Sequence, residues 1–268
     1  MIEALSLDGK TVIITGGGTG LGRAMVRDMA RSGADVVIAA RRAGPIEEVV
    51  DEVRALGRQG LAVVTDVTDS SQVDRLVERT ISEFGKVDVM ISNAAMLGAP
   101  TSPIWEMSDE EWRQGIDANL SSAFYCARAV SKHMVDRGKG KIINVASGFG
   151  LRGGRNMFTY TCGKGGMVQL TRTLAISLGR HGVTANSLVP GFIPTKSADE
   201  GGMRDSLPRS AEFIPMGAFP QPKDVGPVAV FLASDASNYM NGEVFTIDAG
   251  GLAGGFAPTG HAPLVELT

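Results

Sequence analysis

The sequence is poor in the residues that build disulfide frameworks and metal sites. Its 268 residues include two cysteines, Cys126 and Cys162, and three histidines, His133, His181 and His261. Two cysteines are too few for a disulfide framework, so we predict a protein of a reducing compartment. The cysteines and histidines lack the spacing of zinc ligands, and we therefore predict no metal site.

Long apolar runs and an excess of basic charge are also missing. No apolar run approaches the roughly 18 residues of a membrane-spanning helix. The opening MIEALSLDGK lacks the basic and then apolar regions of a signal peptide. Lysine and arginine total 26 against 29 acidic residues, whereas nucleic-acid-binding proteins present a clustered basic face. We therefore predict a soluble, cytoplasmic protein with neither nucleic-acid nor membrane partners.

Short apolar runs alternate along the chain with longer segments of helical periodicity. The runs predict strands over 11–15, 34–40, 61–67, 87–93, 140–147, 183–189 and 243–248. The periodic segments predict helices over 21–33, 43–57, 69–84, 108–137, 158–180 and 223–234. Asp69 predicts an N-cap, and Ser108 with Glu111 predicts a capping box.

This alternation predicts an α/β protein with a doubly wound, Rossmann-type, three-layer fold around a parallel sheet of about seven strands. We find no repeat or composition break, so a single domain is expected over 1–251. Residues 192–220 are expected to form a loop or lid over the substrate, because so long a connection is unusual in a compact domain. Residues 252–268 are expected to form a tail, either crossing to a neighbouring subunit or remaining disordered.

A glycine-rich stretch, TGGGTGLG (15–22), lies between the first predicted strand and the first predicted helix. Glycine permits a sharp turn and a close approach of the backbone to a pyrophosphate, and the helix N-terminus offers free N–H donors. The alternative is a flexible turn without a ligand. The position favours cofactor binding by Gly16, Gly18, Thr19, Gly20, Leu21 and Gly22.

The end of the second predicted strand bears on the choice of cofactor. NAD-binding proteins commonly place an acidic residue there for the ribose 2′-hydroxyl. Here Ala40 takes that place and Arg41 follows, and a guanidinium suits a 2′-phosphate. We therefore predict a preference for NADP(H), with NAD possible. The alternative is that Arg41 and Arg42 are ordinary surface charges.

A tyrosine and a lysine stand four residues apart in TYTCGKGG (159–166), within a predicted helix. Residues at this spacing share a helix face, so Tyr160 and Lys164 can act together. A nearby ammonium favours the phenolate, so we expect Lys164 to lower the pKa of Tyr160. Ser147, at the end of the fifth predicted strand, can stabilise charge on a substrate oxygen. The alternative is an accidental surface pair.

The motifs of this chain occur in the order seen in the short-chain dehydrogenases/reductases. They are the glycine spacing, SNAA (92–95), Asn119, Ser147, Tyr160, Lys164 and Pro-Gly (190–191). The chain up to DAGG (248–251) resembles that family's single-domain branch. The resemblance implies catalysis by Asn119, Ser147, Tyr160 and Lys164, with Asn119 holding a water that links the lysine to solvent. Tyr160 and Lys164 would also contact the cofactor.

The resemblance also implies the remaining cofactor contacts. Asp66 and Val67 would lie at the adenine, and Asn93 and Ala94 along the adenosine side. The nicotinamide would be flanked by Pro190, Gly191, Ile193 and Thr195. The chain departs from the family's usual Asn-Asn-Ala-Gly at 92–95. Thr19 stands where many NADP-dependent members have a basic residue, which leaves Arg41 as the main 2′-phosphate ligand.

Apolar residues of two regions predict a pocket for a medium-sized carbonyl or alcohol substrate: Met96, Leu97, Phe149, Leu151, Met157, Met203, Leu207, Phe213, Ile214, Met216 and Phe219. They could instead only pack the lid onto the body. Arg152 and Arg155 could meet an anionic group or be solvated.

Three functions compete. We favour an NADPH-dependent ketone reductase similar to 3-oxoacyl-carrier-protein reductases, in which Tyr160 is the general acid/base. The alternatives are an NAD-linked dehydrogenase of a sugar acid, polyol or sterol, and a catalytically silent cofactor-binding regulator. Some motifs also resemble dienoyl-CoA reductases, but the set of Ser147, Tyr160 and Lys164 favours carbonyl chemistry. The resemblance further implies a homotetramer packed through helices 108–137 and 158–180 and the last strand.

Overall fold

The computed structural model describes residues 2–96, 102–195 and 214–253. Part of the predicted substrate loop and most of the predicted tail lie outside these residues. The same holds for four of the pocket residues expected from the sequence, Leu97, Met203, Leu207 and Phe213.

Seven parallel strands form one sheet in the order β3-β2-β1-β4-β5-β6-β7. The strands are β1 (Thr11–Thr15), β2 (Asp35–Ala40), β3 (Gly60–Val64), β4 (Val89–Ser92), β5 (Gly140–Val145), β6 (Val183–Pro190) and β7 (Val244–Ile247). Both faces of β1 are buried, which explains its continuous apolar sequence.

Helices cover both faces of the sheet. They are α1 (Gly20–Arg31), α2 (Ala43–Ala55), α3 (Ser70–Phe84), α4 (Asp109–Ile116), α5 (Ser122–Arg137), α6 (Phe158–Leu178) and α7 (Pro222–Ala233). One core lies between the sheet and helices α1, α2 and α7, and a second lies between the sheet and helices α3, α5 and α6. The predicted doubly wound, three-layer, Rossmann-type fold is confirmed.

The predicted caps are present at two helix starts. The Asp69 carboxylate accepts hydrogen bonds from the amides of Ser71 (2.9 Å) and Gln72 (3.4 Å) at the start of α3. At the start of α4, the Ser108 hydroxyl accepts from the Glu111 amide (3.2 Å), while the Glu111 carboxylate accepts from the Ser108 amide (2.7 Å). These bonds satisfy amides that a helix leaves without partners.

The long helix predicted over 108–137 is present from Asp109 to Arg137, but its hydrogen-bond register widens in the middle. A π-helical segment, Asp117–Ser121, separates α4 from α5. Such wide turns are rare and occur frequently at functional sites. Asn119 lies within this segment, so the interruption falls on a residue that the sequence singled out.

Three further features concern the described residues as a group. None of their helices has both the length and the apolar character needed to cross a membrane. Across 2–96, 102–195 and 214–253, no three side chains of histidine, cysteine, aspartate or glutamate come together as metal ligands. Cys126 is buried, Cys162 is exposed, and both are free thiols.

Candidate active site

Two strand ends meet where the order of the sheet reverses. The chain leaves β1 towards β2 and returns on the other side of β1 as β4. Ligands of open α/β sheets bind at the carboxyl ends of the strands near such a point. The Thr15 hydroxyl accepts hydrogen bonds there from the amides of Asn93 (3.0 Å) and Ala94 (3.1 Å), and Asn93 Nδ2 donates to the Thr15 carbonyl (2.9 Å). Asn93 and Ala94 therefore hold the two strand ends together.

The glycine loop is folded so tightly that side chains would not fit. Gly16 has a φ of +67°, and a Cβ there would stand 2.9 Å from Asn93 Nδ2. A Cβ on Gly22 would stand 2.2 Å from the Gly16 carbonyl oxygen, and one on Gly18 would stand 3.1 Å from Ile46 Cγ2. The backbone around the start of α1 is thus bare, as close approach to a pyrophosphate requires.

The first turn of α1 supplies the donors for that site. Thr19 is the N-cap of α1, but its side chain accepts no capping hydrogen bond. The first-turn amides, from Gly20, Leu21 and Gly22, thus get no side-chain cap from Thr19, and helix geometry gives them no intrahelical partner. The bare loop and these amides fit a dinucleotide phosphate group.

The segment after β6 lies against the glycine loop. The Gly191 amide donates to the Ile247 carbonyl (2.8 Å), and a Cβ on Gly191 would stand 2.7 Å from the Asp248 side chain. Pro190 and Ile193 are buried, which fixes the direction of the segment. Thr195 reaches the loop, since a Cβ built on Gly20 would lie 3.4 Å from Thr195 Cγ2.

The predicted adenosine contacts follow β2 and β3. The Asp66 carboxylate accepts hydrogen bonds from the amide (3.0 Å) and hydroxyl (2.7 Å) of Thr68, and Val67 packs against the second core. Arg41 directly follows β2 and is exposed. Its guanidinium forms no ion pair within the described part of the chain. The Arg41 guanidinium can therefore bind an anion at the carboxyl end of β2.

Ser147 and Tyr160 lie together beyond the end of β5. Ser147 is buried and extended, and its hydroxyl accepts a hydrogen bond from the Phe149 amide (3.2 Å). The Phe149 ring stands edge-on to the Tyr160 ring, with centroids 6.4 Å apart. Gly150 lets this turn touch α6, because a Cβ there would stand 2.7 Å from the Lys164 carbonyl oxygen.

Lys164 is almost fully buried beneath Tyr160. Its ammonium donates to the Val145 carbonyl (2.7 Å) at the end of β5 and lies 5.9 Å from the centre of the Tyr160 ring. The two side chains thus share a helix face, as their spacing predicts. Burial lowers the pKa of the Lys164 ammonium to about 7, because low polarity disfavours the charged form.

The direction of the Tyr160 pKa is opposite to our expectation. Burial raises the pKa of the phenol, and the nearby Ser147 side chain opposes this rise only in part. The cause of the rise is desolvation of the phenol, because burial disfavours its charged form. The Lys164 ammonium, on which our expectation rested, is directed at the Val145 carbonyl.

Asn119 lies behind the catalytic face of α6. Its Nδ2 donates to the Gly115 carbonyl (3.0 Å), and its Oδ1 accepts from the Met96 amide (3.2 Å). A Cβ on Gly163 would stand 2.7 Å from the Asn119 Cβ, so the π-helical segment touches α6 one residue before Lys164. The structure brings all four predicted catalytic residues into one region.

A family model described as "Enoyl-(Acyl carrier protein) reductase" matches residues 16–251, which is most of the chain. The chain belongs to the short-chain dehydrogenase/reductase family. It is thus an oxidoreductase acting on CH–OH groups with NAD(P) as acceptor. The similarity that we inferred from the order of the sequence motifs is confirmed.

Two curated relatives align with nearly the whole dehydrogenase/reductase chain. The 2-dehydro-3-deoxy-D-gluconate 5-dehydrogenase of Escherichia coli (strain K12) is 35% identical over 258 residues, covering 94% of this chain and 99% of the relative. The 3-oxoacyl-[acyl-carrier-protein] reductase of Synechocystis sp. (strain ATCC 27184 / PCC 6803 / Kazusa) is 33% identical over 247 residues, covering 91% and 98%.

A solved structure matches this dehydrogenase/reductase in fold as well as in sequence. It is a protein of Beutenbergia cavernae assigned as an NAD(P)-dependent gluconate 5-dehydrogenase, with NADP bound at low occupancy. Its TM-score is 0.87 at 35% identity, and the alignment covers 93% of this chain and 99% of that chain.

Sequence reasoning missed three residues that shape the site of this dehydrogenase/reductase. Thr15 ties β1 to β4, and its signal was a hydroxyl ending an otherwise apolar strand. Asp248 lies close against Gly191, and its carboxylate accepts from the amides of Gly250 (3.0 Å) and Leu252 (2.7 Å). The lack of a side chain at Gly163 leaves room for Asn119 to pack against α6, and the position of Gly163 in a predicted helix did not indicate this contact.

Proposed function

We propose that this chain is an NADP(H)-dependent enzyme that interconverts a ketone and a secondary alcohol, with Tyr160 as general acid and base. The observation that carries the proposal is the convergence of Ser147, Tyr160 and Lys164 at the carboxyl end of β5. All three lie at the carboxyl-terminal end of the sheet's strands, where the glycine loop also lies.

The proton chemistry follows from the phenol and the groups around it. A raised pKa keeps Tyr160 protonated at neutral pH, so the phenol can donate a proton to a carbonyl oxygen. The Ser147 hydroxyl stabilises charge on that oxygen, and Lys164 supports the phenolate that remains. In the direction of oxidation, the Tyr160 phenolate accepts the alcohol proton.

The cofactor would be held by groups already described. Its phosphates would meet the glycine loop and the first-turn amides of α1, and Thr195 would lie beside them. The Lys164 ammonium and the segment from Pro190 to Thr195 would flank the nicotinamide end. When bound, the reduced nicotinamide supplies the hydride. Asn119 would help Lys164 exchange protons with solvent.

Replacement of Tyr160 by phenylalanine tests the proposed acid. Tyr160→Phe keeps the ring against Phe149 but removes the proton, so we expect kcat for ketone reduction to fall about 10²- to 10⁴-fold. The Kd of NADPH should change little. Tyr239→Phe is the matched control, because Tyr239 is fully exposed. Unchanged turnover in Tyr160→Phe would reject the assignment.

The NADP preference rests on Arg41, which is exposed at the end of β2 and without an ionic partner within the described ranges. NADPH and NADH would be titrated separately into wild type, Arg41→Ala and the neighbouring Arg42→Ala. Because a hydrogen bond to a charged group contributes about 1.5–3 kcal/mol, we expect Arg41→Ala to weaken NADPH binding at least roughly tenfold and to spare NADH. Equal or tighter binding of NADH by wild type would contradict the preference.

A second candidate is an NAD-linked dehydrogenase of a sugar acid, favoured by the Escherichia coli relative, whose name gives it a sugar-acid substrate. Oxidation of a panel of sugar acids, polyols and sterols with NAD and with NADP separates the two candidates. Faster oxidation of a sugar acid with NAD than reduction of any ketone with NADPH would place this candidate first.

We further propose that the enzyme works as a cytoplasmic homotetramer packed partly through α5 and α6. Phe124 on α5 and Ile176 on α6 are exposed, the latter to 83%, which is unusual for large apolar side chains of helices. Native mass spectrometry should find a tetramer that Phe124→Glu or Ile176→Glu dissociates. A wild-type monomer at micromolar concentration would contradict this proposal.

A further inference from the structure

The turn that follows β7 is held together by a carboxylate at its start. Asp248 accepts hydrogen bonds from the amides of Gly250 (3.0 Å) and Leu252 (2.7 Å), one at each carboxylate oxygen. Between these residues, Ala249 has a φ of +56°, in the left-handed region that disfavours residues with a side chain. Such a conformation persists only where the surrounding structure enforces it. The carboxylate therefore fixes the shape of residues 248–252, which we call the Asp248 turn.

The Asp248 turn touches the segment that is expected to flank the nicotinamide. The Gly191 amide donates to the Ile247 carbonyl (2.8 Å), directly beyond the last residue pair of β6 and β7. A Cβ on Gly191 would stand 2.7 Å from Asp248 Cβ and 2.8 Å from Asp248 Cα. The backbone at Gly191 is therefore in close contact with Asp248.

The Asp248 turn also touches the chain on both sides of the predicted catalytic serine. Leu252 packs on an apolar cluster that includes Ala146, the residue before Ser147. A Cβ built on Gly148, the residue after Ser147, would lie 3.8 Å from Leu252 Cδ1, which is an ordinary packing distance. The Leu252 side chain thus lies beside both chain neighbours of Ser147, while Asp248 holds the Leu252 amide.

A third contact joins the Asp248 turn to the end of the predicted substrate loop. A Cβ on Gly250 would stand 3.2 Å from Pro215 Cβ, and the Met216 amide donates to the Ala249 carbonyl (3.4 Å). The Asp248 turn therefore connects three parts of the site. These are the segment after β6, the chain around the serine, and the end of the loop expected over the substrate.

We propose that Asp248 is a positioning residue for hydride transfer, because its carboxylate sets the distance between the segment at Gly191 and Ser147. Asp248 touches neither substrate nor cofactor phosphates in this account, and it acts through Gly191 and Leu252. The inference rests on the proposed ketone–alcohol chemistry and adds a residue to it. Reaction rates fall steeply when reacting groups are displaced by small distances. Loss of the carboxylate should therefore slow hydride transfer, while NADPH still binds through the glycine loop.

The test compares Asp248→Ala and Asp248→Asn with Asp35→Ala as the matched control. The Asp35 carboxylate also accepts from a backbone amide, that of Gln59 (2.9 Å), but it lies at the start of β2, at the opposite end of the sheet. Ketone reduction is measured per NADPH-binding site, so that unfolded protein does not count. We expect kcat to fall at least about tenfold in Asp248→Ala, and less in Asp248→Asn, which keeps one acceptor oxygen. In Asp35→Ala, kcat should stay within about threefold of wild type, and the Kd of NADPH should do so in all variants.

The deuterium isotope effect separates positioning from a purely structural role. With NADPH deuterated at C4 of the nicotinamide, a slower hydride step makes the isotope effect on kcat in Asp248→Ala at least as large as in wild type. A slower product release would make it smaller. The inference is overturned by a kcat per site within about threefold of wild type in Asp248→Ala, or by a smaller isotope effect than in wild type.

Hydrogen exchange of the cofactor-free protein gives a readout that needs no turnover. In Asp248→Ala, the amides of Phe149 and Gly191 should exchange at least about tenfold faster than in wild type, because the Asp248 turn no longer holds their segments. In Asp35→Ala these two amides should exchange at the wild-type rate. If wild type reduces no ketone, the proposed function fails, and the exchange rates still decide whether Asp248 holds both segments. Unchanged exchange in Asp248→Ala refutes the positioning role.

Discussion

The buried Lys164 ammonium should make the stability of this protein depend on pH in an unusual direction. Lysines at a surface hardly affect stability near neutrality, but burial lowers the pKa of Lys164 from 10.5 to about 7. Each pKa unit corresponds to about 1.4 kcal/mol, so charging Lys164 costs the folded state roughly 5 kcal/mol wherever it must stay protonated. Replacement of Lys164 by methionine keeps the volume and removes this cost.

The sign follows from the two pKa values. Below about pH 7 both the folded and the unfolded chain carry the Lys164 proton, and the full cost applies. Between about pH 7 and 10.5 the unfolded chain keeps the proton while the folded chain has lost it, so stability rises with pH. From pH 7 to pH 9 this group alone should add about 2 kcal/mol to the free energy of unfolding of wild type, and nothing to that of Lys164→Met.

Urea unfolding of the cofactor-free protein at fixed concentration, repeated from pH 6 to pH 9.5, measures this difference. Groups common to both proteins, such as Lys141, cancel when the two curves are subtracted. The difference should slope by about 1.4 kcal/mol per pH unit above pH 7. Lys139→Met, at an exposed lysine, should run parallel to wild type. Parallel curves for wild type and Lys164→Met would refute the reasoning.

Other residues give predictions of the same kind. Gly22→Ala should lower the free energy of unfolding in urea by about 1–3 kcal/mol and weaken NADPH binding, because the new Cβ would meet the Gly16 carbonyl oxygen. Gly44→Ala is the control and should leave stability unchanged, because a Cβ at Gly44 would have nothing within 4 Å. Equal destabilisation by the two substitutions would contradict this reasoning. Asn119→Ala should lower the free energy of unfolding by about 2 kcal/mol, because the buried Gly115 carbonyl and the partly buried Met96 amide lose their hydrogen bonds. A loss below about 0.5 kcal/mol would contradict this. Alcohol oxidation should accelerate and ketone reduction slow as pH rises through the raised pKa of Tyr160; oxidation that slows with pH would show another base.

The sheet could be predicted from local sequence, because its strands are short and mostly apolar, and the central ones are buried on both faces. Val12, Ile13 and Ile14 of β1 are fully buried, and no surface position breaks the run. The interruption between α4 and α5 could not be predicted, because the apolar periodicity continues through it. Its wide turn accompanies a hydrogen bond that the distant Met96 amide donates to Asn119 Oδ1, which only the folded chain brings together. The extent of a single domain over 1–251 stays a prediction.

The members of the candidate site were predictable, but its electrostatics were not. The spacing of Tyr160 and Lys164 and the strand-end position of Ser147 follow from secondary structure alone. The direction of the Tyr160 pKa depends on how deeply the phenol is buried, which only the folded chain determines. The Arg152 guanidinium carbon lies 4.5 Å from the centre of the Phe149 ring, and this contact likewise depends on the path of a glycine-rich loop, which sequence periodicity does not describe.

Deuterium transfer is the most direct test of the central claim, that this chain moves a hydride between a nicotinamide and a carbonyl carbon with Tyr160 as proton donor. Wild type and Tyr160→Phe would be incubated with a ketone panel and NADPH deuterated at C4 of the nicotinamide, and the alcohols analysed by mass spectrometry. We predict one deuterium on the carbinol carbon with wild type, and formation at least about 100-fold slower with Tyr160→Phe. An alcohol without deuterium, or equal rates for the two proteins, would contradict the account.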